Sequence, residues 1–123
     1  MRALCSDREV TGLLFGAHLD MVDGITGVEQ GIELRGMVAR PSASRLARHP
    51  AAHRFLLRIP EARAIELKDG AGFMVFGKVT HDPVAGTLTV TGPLPVTIRI
   101  FTSADEFDLT VEDKSVGRWR DLV

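Results

Sequence analysis

From residue 87 onward, apolar and polar residues alternate along the chain. Thr87–Thr91 sends Leu88 and Val90 to one side and three threonines to the other. Val96–Thr102 sets Val96, Ile98 and Ile100 against Thr97 and Arg99, and Phe107–Glu112 sets Phe107, Leu109 and Val111 against Asp108, Thr110 and Glu112. A period of two predicts strands with one face in the core and one in water, hence antiparallel pairing. The turn-rich segments HDPVAG, TGPLP and TSADE lie between these strands, so each is expected to fold back on the one before.

Toward the N-terminus the pattern softens but stays strand-like. GFMVFGKVT (Gly72–Thr80) is apolar on both faces over its first half and is expected to lie centrally in a sheet. RFLLRI and RAIELKD flank Pro60–Glu61, a turn between two strands or a break within one. GIELRGMVA (Gly31–Ala39) and TGLLFGAHLDMV (Thr11–Val22) complete the set. Glycines at 12, 16, 24, 27, 31 and 36 blur the first third, since glycine inside a strand marks a bulge or a close approach. One short helix is predicted near residues 42–49, where SASRLARH follows Pro41 and precedes Pro50, with Ser42 or Ser44 able to cap it. The expected architecture is all-β and mainly antiparallel, with seven to eight strands. It is a β-sandwich or small β-barrel, and residues 1–123 form a single domain.

Composition narrows the partners more than the fold. A chain of 123 residues can bury a core without disulfide or metal staples. A formal net charge of −1 argues against nucleic acid as a partner, because no general attraction to phosphate backbones exists. No apolar run approaches the roughly 18 residues of a membrane span, and MRALCSDREVTG carries charge where a signal peptide needs an apolar core. The lone Cys5, expected in a loose N-terminus, excludes an intrachain disulfide; that fits a reducing compartment, and a cytoplasmic location is the expectation.

Charge is unevenly spread. Between Glu33 and Glu61 no acidic residue occurs, while Arg40–Arg58 holds five arginines and two histidines. ADEFDLTVEDK, by contrast, carries five acids in eleven residues. A helix at 42–49 would put Arg45 and Arg48 on one face at i, i+3. With Arg54 and Arg58 they could grip phosphate or carboxylate through bidentate bonds. The plainer alternative is that these arginines are solvated, or answer Asp105–Glu112 within the fold or across a dimer.

Arg54 and Arg58 have the R-x-x-x-R spacing that PilZ domains use to hold cyclic di-GMP, and this spacing is what resembles that family. The family's second motif, [D/N]-x-S-x-x-G, meets only HDPVAG, where His81 and Pro83 replace the required residues and Gly86 alone agrees. Gly117-Arg118-Trp119 similarly resembles the G-x-W triplet of lipocalins, but that triplet belongs before the first barrel strand. The chain is assigned to neither family.

Other candidates are sparse. His18 and Asp20, two apart, would share a strand face and could form half of a metal site. No spaced His or Cys cluster accompanies them, so no metal and no cofactor is expected. No catalytic motif surrounds Ser42, Ser44 or Cys5. Arg118, Trp119 and Arg120 enclose the only tryptophan, either as cover for the core or as an anchor for a partner.

Three functions stay open on this reading. The first is a non-enzymatic domain that binds another protein or itself, as accessory and immunity-like proteins do. The second is a small-molecule, nucleotide or anion-binding barrel that uses the Arg-rich segment 40–58. The third is an enzyme with a dispersed site.

Overall fold

The computed structural model describes residues 1–41, 49–68, 74–93 and 97–122. These form eleven strands and two helices. In chain order they are β1 (Arg2–Cys5), α1 (Asp7–Leu14), β2 (His18–Leu19), β3 (Ile25–Val28), β4 (Gly31–Arg40), β5 (Ala51–Pro60) and β6 (Ala64–Lys68). Then follow β7 (Lys78–Asp82), β8 (Thr87–Thr91), β9 (Thr97–Phe101), β10 (Phe107–Val111), β11 (Gly117–Arg118) and α2 (Trp119–Leu122). All pairings are antiparallel, as the alternation predicts. The strands beyond the expected seven to eight are short pieces such as β1, β2 and β11.

Two sheets share one core. The larger runs β1-β10-β5-β4-β2, with β3 also on β4 and β11 on β5; the smaller runs β6-β9-β8-β7. Strands β4 and β5 are the spine, paired without a break from Gly31↔Pro60 to Arg40↔Ala51. Their inward residues Ile32, Leu34, Val38, Phe55, Leu57 and Ile59 join Phe107, Leu109 and Val111 of β10 in the core. Val79, Leu88, Val90, Ile98 and Ile100 supply the small sheet's half. The two halves form one contiguous cluster, as expected when each strand buries alternate residues.

The segment after residue 73 differs from its expected central strand. Met74–Gly77 runs beside β2, with Leu19 N–H donating to Met74 O (3.0 Å) and Phe76 N–H to Ala17 O (2.8 Å). Gly77 N–H then donates to Thr91 O (2.8 Å), and β7 continues as an edge of the small sheet. The chain thus crosses from one sheet to the other here. Met74 and Phe76, two apart and so on one face, are buried in the seam between sheets, while Val75 between them is half-buried.

The N-terminal third departs most. Thr11–Val22 was expected as strand, yet α1 takes its first four residues. Ser6 Oγ accepts from Glu9 N–H (3.3 Å) and Glu9 Oε1 accepts from Ser6 N–H (3.2 Å), a complete capping box. Val10 and Leu14, one turn apart, are both buried. Helix α1 also shields the open edge of β7. Thr11 Oγ1 accepts from Val79 N–H (2.9 Å), and the Asp7 carboxylate accepts from His81 N–H (2.8 Å). An edge strand occupied in this way cannot recruit another chain.

TSADE is not a hairpin turn, because β9 and β10 lie in different sheets. The buried Thr102 directs the crossing: its hydroxyl donates to Pro60 O (2.6 Å) and accepts from Ala104 N–H (3.1 Å). Cys5 is not in a loose terminus either. It is 1% exposed in β1 opposite Phe107, and burial pushes its thiol above its usual pKa, so the thiolate needed for reactivity is disfavoured. Val96 and most of the helix expected at 42–49 lie outside the described residues.

Candidate functional site

Alternation along β4 and β5 decides which charges face water. With Phe55, Leu57 and Ile59 inward, Arg54 and Arg58 point out, and on β4 the outward residues include Glu33 and Arg35. The register places Glu33 directly across from Arg58. Arg58 Nε and Nη2 both donate to Glu33 Oε2 (3.0 and 2.8 Å), and Arg35 Nη2 donates to Oε1 (2.9 Å). The carboxylate is only 4% exposed, yet it carries its charge. Hydrogen bonding from Arg58, helped by Arg35, lowers the Glu33 pKa against the opposing effect of burial.

This arrangement sets a pH dependence. Because the folded-state pKa lies below the unfolded one, the stabilisation is fully present above the ordinary glutamate value of about 4.3. It is lost as pH falls through the lowered value. Glu33→Gln should cost about 1–3 kcal/mol at neutral pH, because a charged acceptor of three hydrogen bonds is replaced by a neutral amide. It should also flatten the acid limb of the stability curve. Denaturant midpoints for both proteins between neutral pH and about pH 3 check this, and an unchanged limb would remove Glu33 from the account.

Two further outward arginines are also answered. Arg54 forks onto both oxygens of Asp20, with Nη1 to Oδ1 at 3.1 Å. Arg2 Nη2 donates to Asp108 Oδ2 (2.9 Å). Arg54 and Arg58 therefore answer acids of the N-terminal third; Asp108, in the acidic strand, takes Arg2 instead. Asp20 is held by a guanidinium. Its neighbour His18, whose pKa burial lowers, meets the Trp119 ring edge-on at 4.9 Å. Among the described residues no group of three His, Cys, Asp or Glu is placed to hold a metal ion.

The arginines at the C-terminus sit differently. Strand β11 lies on the start of β5, Gly117 opposite Ala52 and Arg118 opposite Ala51. Trp119 N–H donates to Pro50 O (3.0 Å), so α2 is fastened where the Arg-rich stretch enters the sheet. Arg120 Nη1 lies 2.9 Å from His49 Nε2. Arg118 Nε donates to Asp121 Oδ2 (2.9 Å), and Arg120 reaches the same carboxylate at 3.7 Å. Both guanidinium side chains stay well exposed, at 65% and 59%. The fold thus joins Arg118, Trp119 and Arg120 to His49–Ala52, the middle of segment 40–58, a proximity that sequence separation hides. Arg45 and Arg48 lie outside the described residues; the roots of their segment, Arg40 and Ala51, are directly paired.

Glu33 is the residue that the sequence reading passed over. The available signal was an acid between two apolar residues, I-E-L, but recognising its role required the β4–β5 register.

No family model matches this chain, and neither a curated protein nor a solved structure matches it.

Proposed function

We propose that the protein is a non-enzymatic interaction domain whose contact surface is the corner made by Arg118, Trp119, Arg120 and His49. The observation that carries this reading is a contrast in charge pairing. Arg54 and Arg58 are held by Asp20 and Glu33, whereas Arg118 and Arg120 share the single carboxylate of Asp121 and remain exposed. Two exposed guanidiniums around a half-buried tryptophan form the kind of anchor that dominates protein interfaces. The excess positive charge favours a partner surface bearing carboxylates.

Anion capture by the Arg-rich segment draws less support from the same geometry. A free anion would have to compete with Glu33 and Asp20, which are tethered opposite Arg58 and Arg54.

The test is native mass spectrometry of the protein isolated gently from its source cells, beside an Arg118→Glu/Arg120→Glu variant. A protein partner retained by the wild type and lost from the folded variant is the expected result. A bound small molecule in place of a protein, retained by the variant, would overturn the proposal. Far-UV circular dichroism of the variant separates lost contact from lost folding.

A further inference from the structure

The two edges of the small sheet are treated differently, and this difference points to a second interface. Strand β7 has its backbone occupied by Thr11 and Asp7 of α1. Strand β6 ends the sheet on the other side, and among the described residues no strand pairs with its outer edge. Its sequence is Ala64-Ile65-Glu66-Leu67-Lys68. Leu67 shares a face with Ile65 and lies opposite the buried Ile98, yet it is 54% exposed. An apolar residue in this position is what an added strand would cover.

Edge strands often carry lysine to repel a second strand, so Lys68 by itself would argue against pairing. Its position relative to Glu66 reverses that argument. If two copies of β6 align antiparallel about a two-fold axis at Leu67, each Glu66 falls opposite the Lys68 of the other copy. Glu66 already faces Arg99 of β9 at 3.6 Å. The outward row across the joined sheets would then read positive, negative, positive, while the inward row would read Ile98, Leu67, Leu67, Ile98. Shifting the alignment by two residues loses one of these matches: centring on Glu66 sets two carboxylates face to face, and centring on Lys68 sets two ammonium groups face to face.

The geometry points to self-association of this chain through β6, with the two-fold axis at Leu67. The occupant of the edge is a second copy because the strand is complementary to itself in charge and in apolar position. Five residues a side bury little area, so the dimer is weak and forms only as concentration rises. It leaves the corner of Arg118 and Trp119 untouched, and neither reading depends on the other.

The test is sedimentation of the full chain over a wide concentration range. The wild type should shift from monomer toward dimer. Lys68→Glu alone should abolish the shift by placing acid against acid, and Glu66→Lys alone should abolish it by placing base against base. An equimolar mixture of these two variants should associate again, because each charge then meets its opposite. Leu67→Cys should form an intermolecular disulfide on mild oxidation, since directly opposed Cβ atoms lie about 4.5–5.5 Å apart and the native Cys5 is buried. Ile65→Cys should not. A wild type that stays monomeric throughout would overturn the inference, as would a dimer indifferent to both charge changes. Association that survives in the Arg118→Glu/Arg120→Glu variant separates this interface from the partner-binding corner.

Discussion

Replacing Phe76 by alanine is expected to destabilise the fold by about 3–5 kcal/mol, the usual cost of deleting a fully buried aromatic ring. Phe76 is 1% exposed and meets Phe55 edge to face at 5.6 Å. It sits where the chain leaves β2 for the small sheet, with its own N–H and C=O bound to Ala17 and Gly16. The ring therefore fills the seam from a backbone that is held in place, and the surroundings have little freedom to collapse into the space. A loss of this size is a large share of the roughly 5–15 kcal/mol that holds an ordinary domain together. Phe76→Leu should recover part of it. Phe15→Ala is the control, because Phe15 is 74% exposed and should stay within about 0.5 kcal/mol of wild type. Guanidinium denaturation of the three variants decides the matter: a Phe76→Ala protein as stable as the Phe15→Ala protein would mean that the seam is not closed by this ring.

The seam also shows what the sequence could not convey. GFMVFGKVT is apolar on both faces, yet among its described residues Met74 and Phe76 are buried and Val75 between them is half-buried. Which neighbours cover those faces is a property of topology. The same limit explains TSADE, which has the composition of a hairpin turn although it carries the chain between sheets. The deciding contact, Thr102 with the carbonyl of Pro60, joins residues 42 positions apart. In α1 the cause was different. The capping residues Ser6 and Glu9 and the i, i+4 pair Val10 and Leu14 were all present, but the glycines and the apolar run that follow weighed toward strand. Where alternation was clean, in β8, β9 and β10, local pattern and observed burial agree residue by residue for every described position.

For the charges, composition alone does not say which acid takes which arginine. The basic stretch and the acid-rich C-terminal strand looked like natural partners because each was rich in one sign. The basic strand β5 does lie beside the acidic β10, and register sets both Glu33 and Asp108 opposite Arg58; the guanidinium bonds Glu33, Asp108 bonds Arg2, and Arg54 meets Asp20 just after β2. Arg118 and Arg120 are held less tightly, both well exposed and sharing the one carboxylate of Asp121. What holds each arginine is a distinction that the count of basic residues cannot make.

Gly36→Ala is expected to cost about 3 kcal/mol, the upper end of the usual range for overpacking. A Cβ on Gly36 would lie 2.0 Å from the His18 carbonyl oxygen and 2.8 Å from Cε1 of the Phe55 ring. The first of these atoms is backbone of β2, so relief requires β2 to move off β4 and no side-chain rotation suffices. That movement has a local readout. Strand β2 carries His18 against Trp119, and Asp20 directly after it holds Arg54. Trp119 is the only tryptophan, so its native-state fluorescence should change in Gly36→Ala before global unfolding begins. Gly27→Ala on β3 is the matched comparison, because a Cβ there meets nothing within 4 Å. Its stability should stay within about 1 kcal/mol of wild type, with unaltered tryptophan emission. If Gly36→Ala behaves like Gly27→Ala on both measurements, β2 does not approach β4 this closely, and the link from the sheet edge to the Trp119 corner is lost with it.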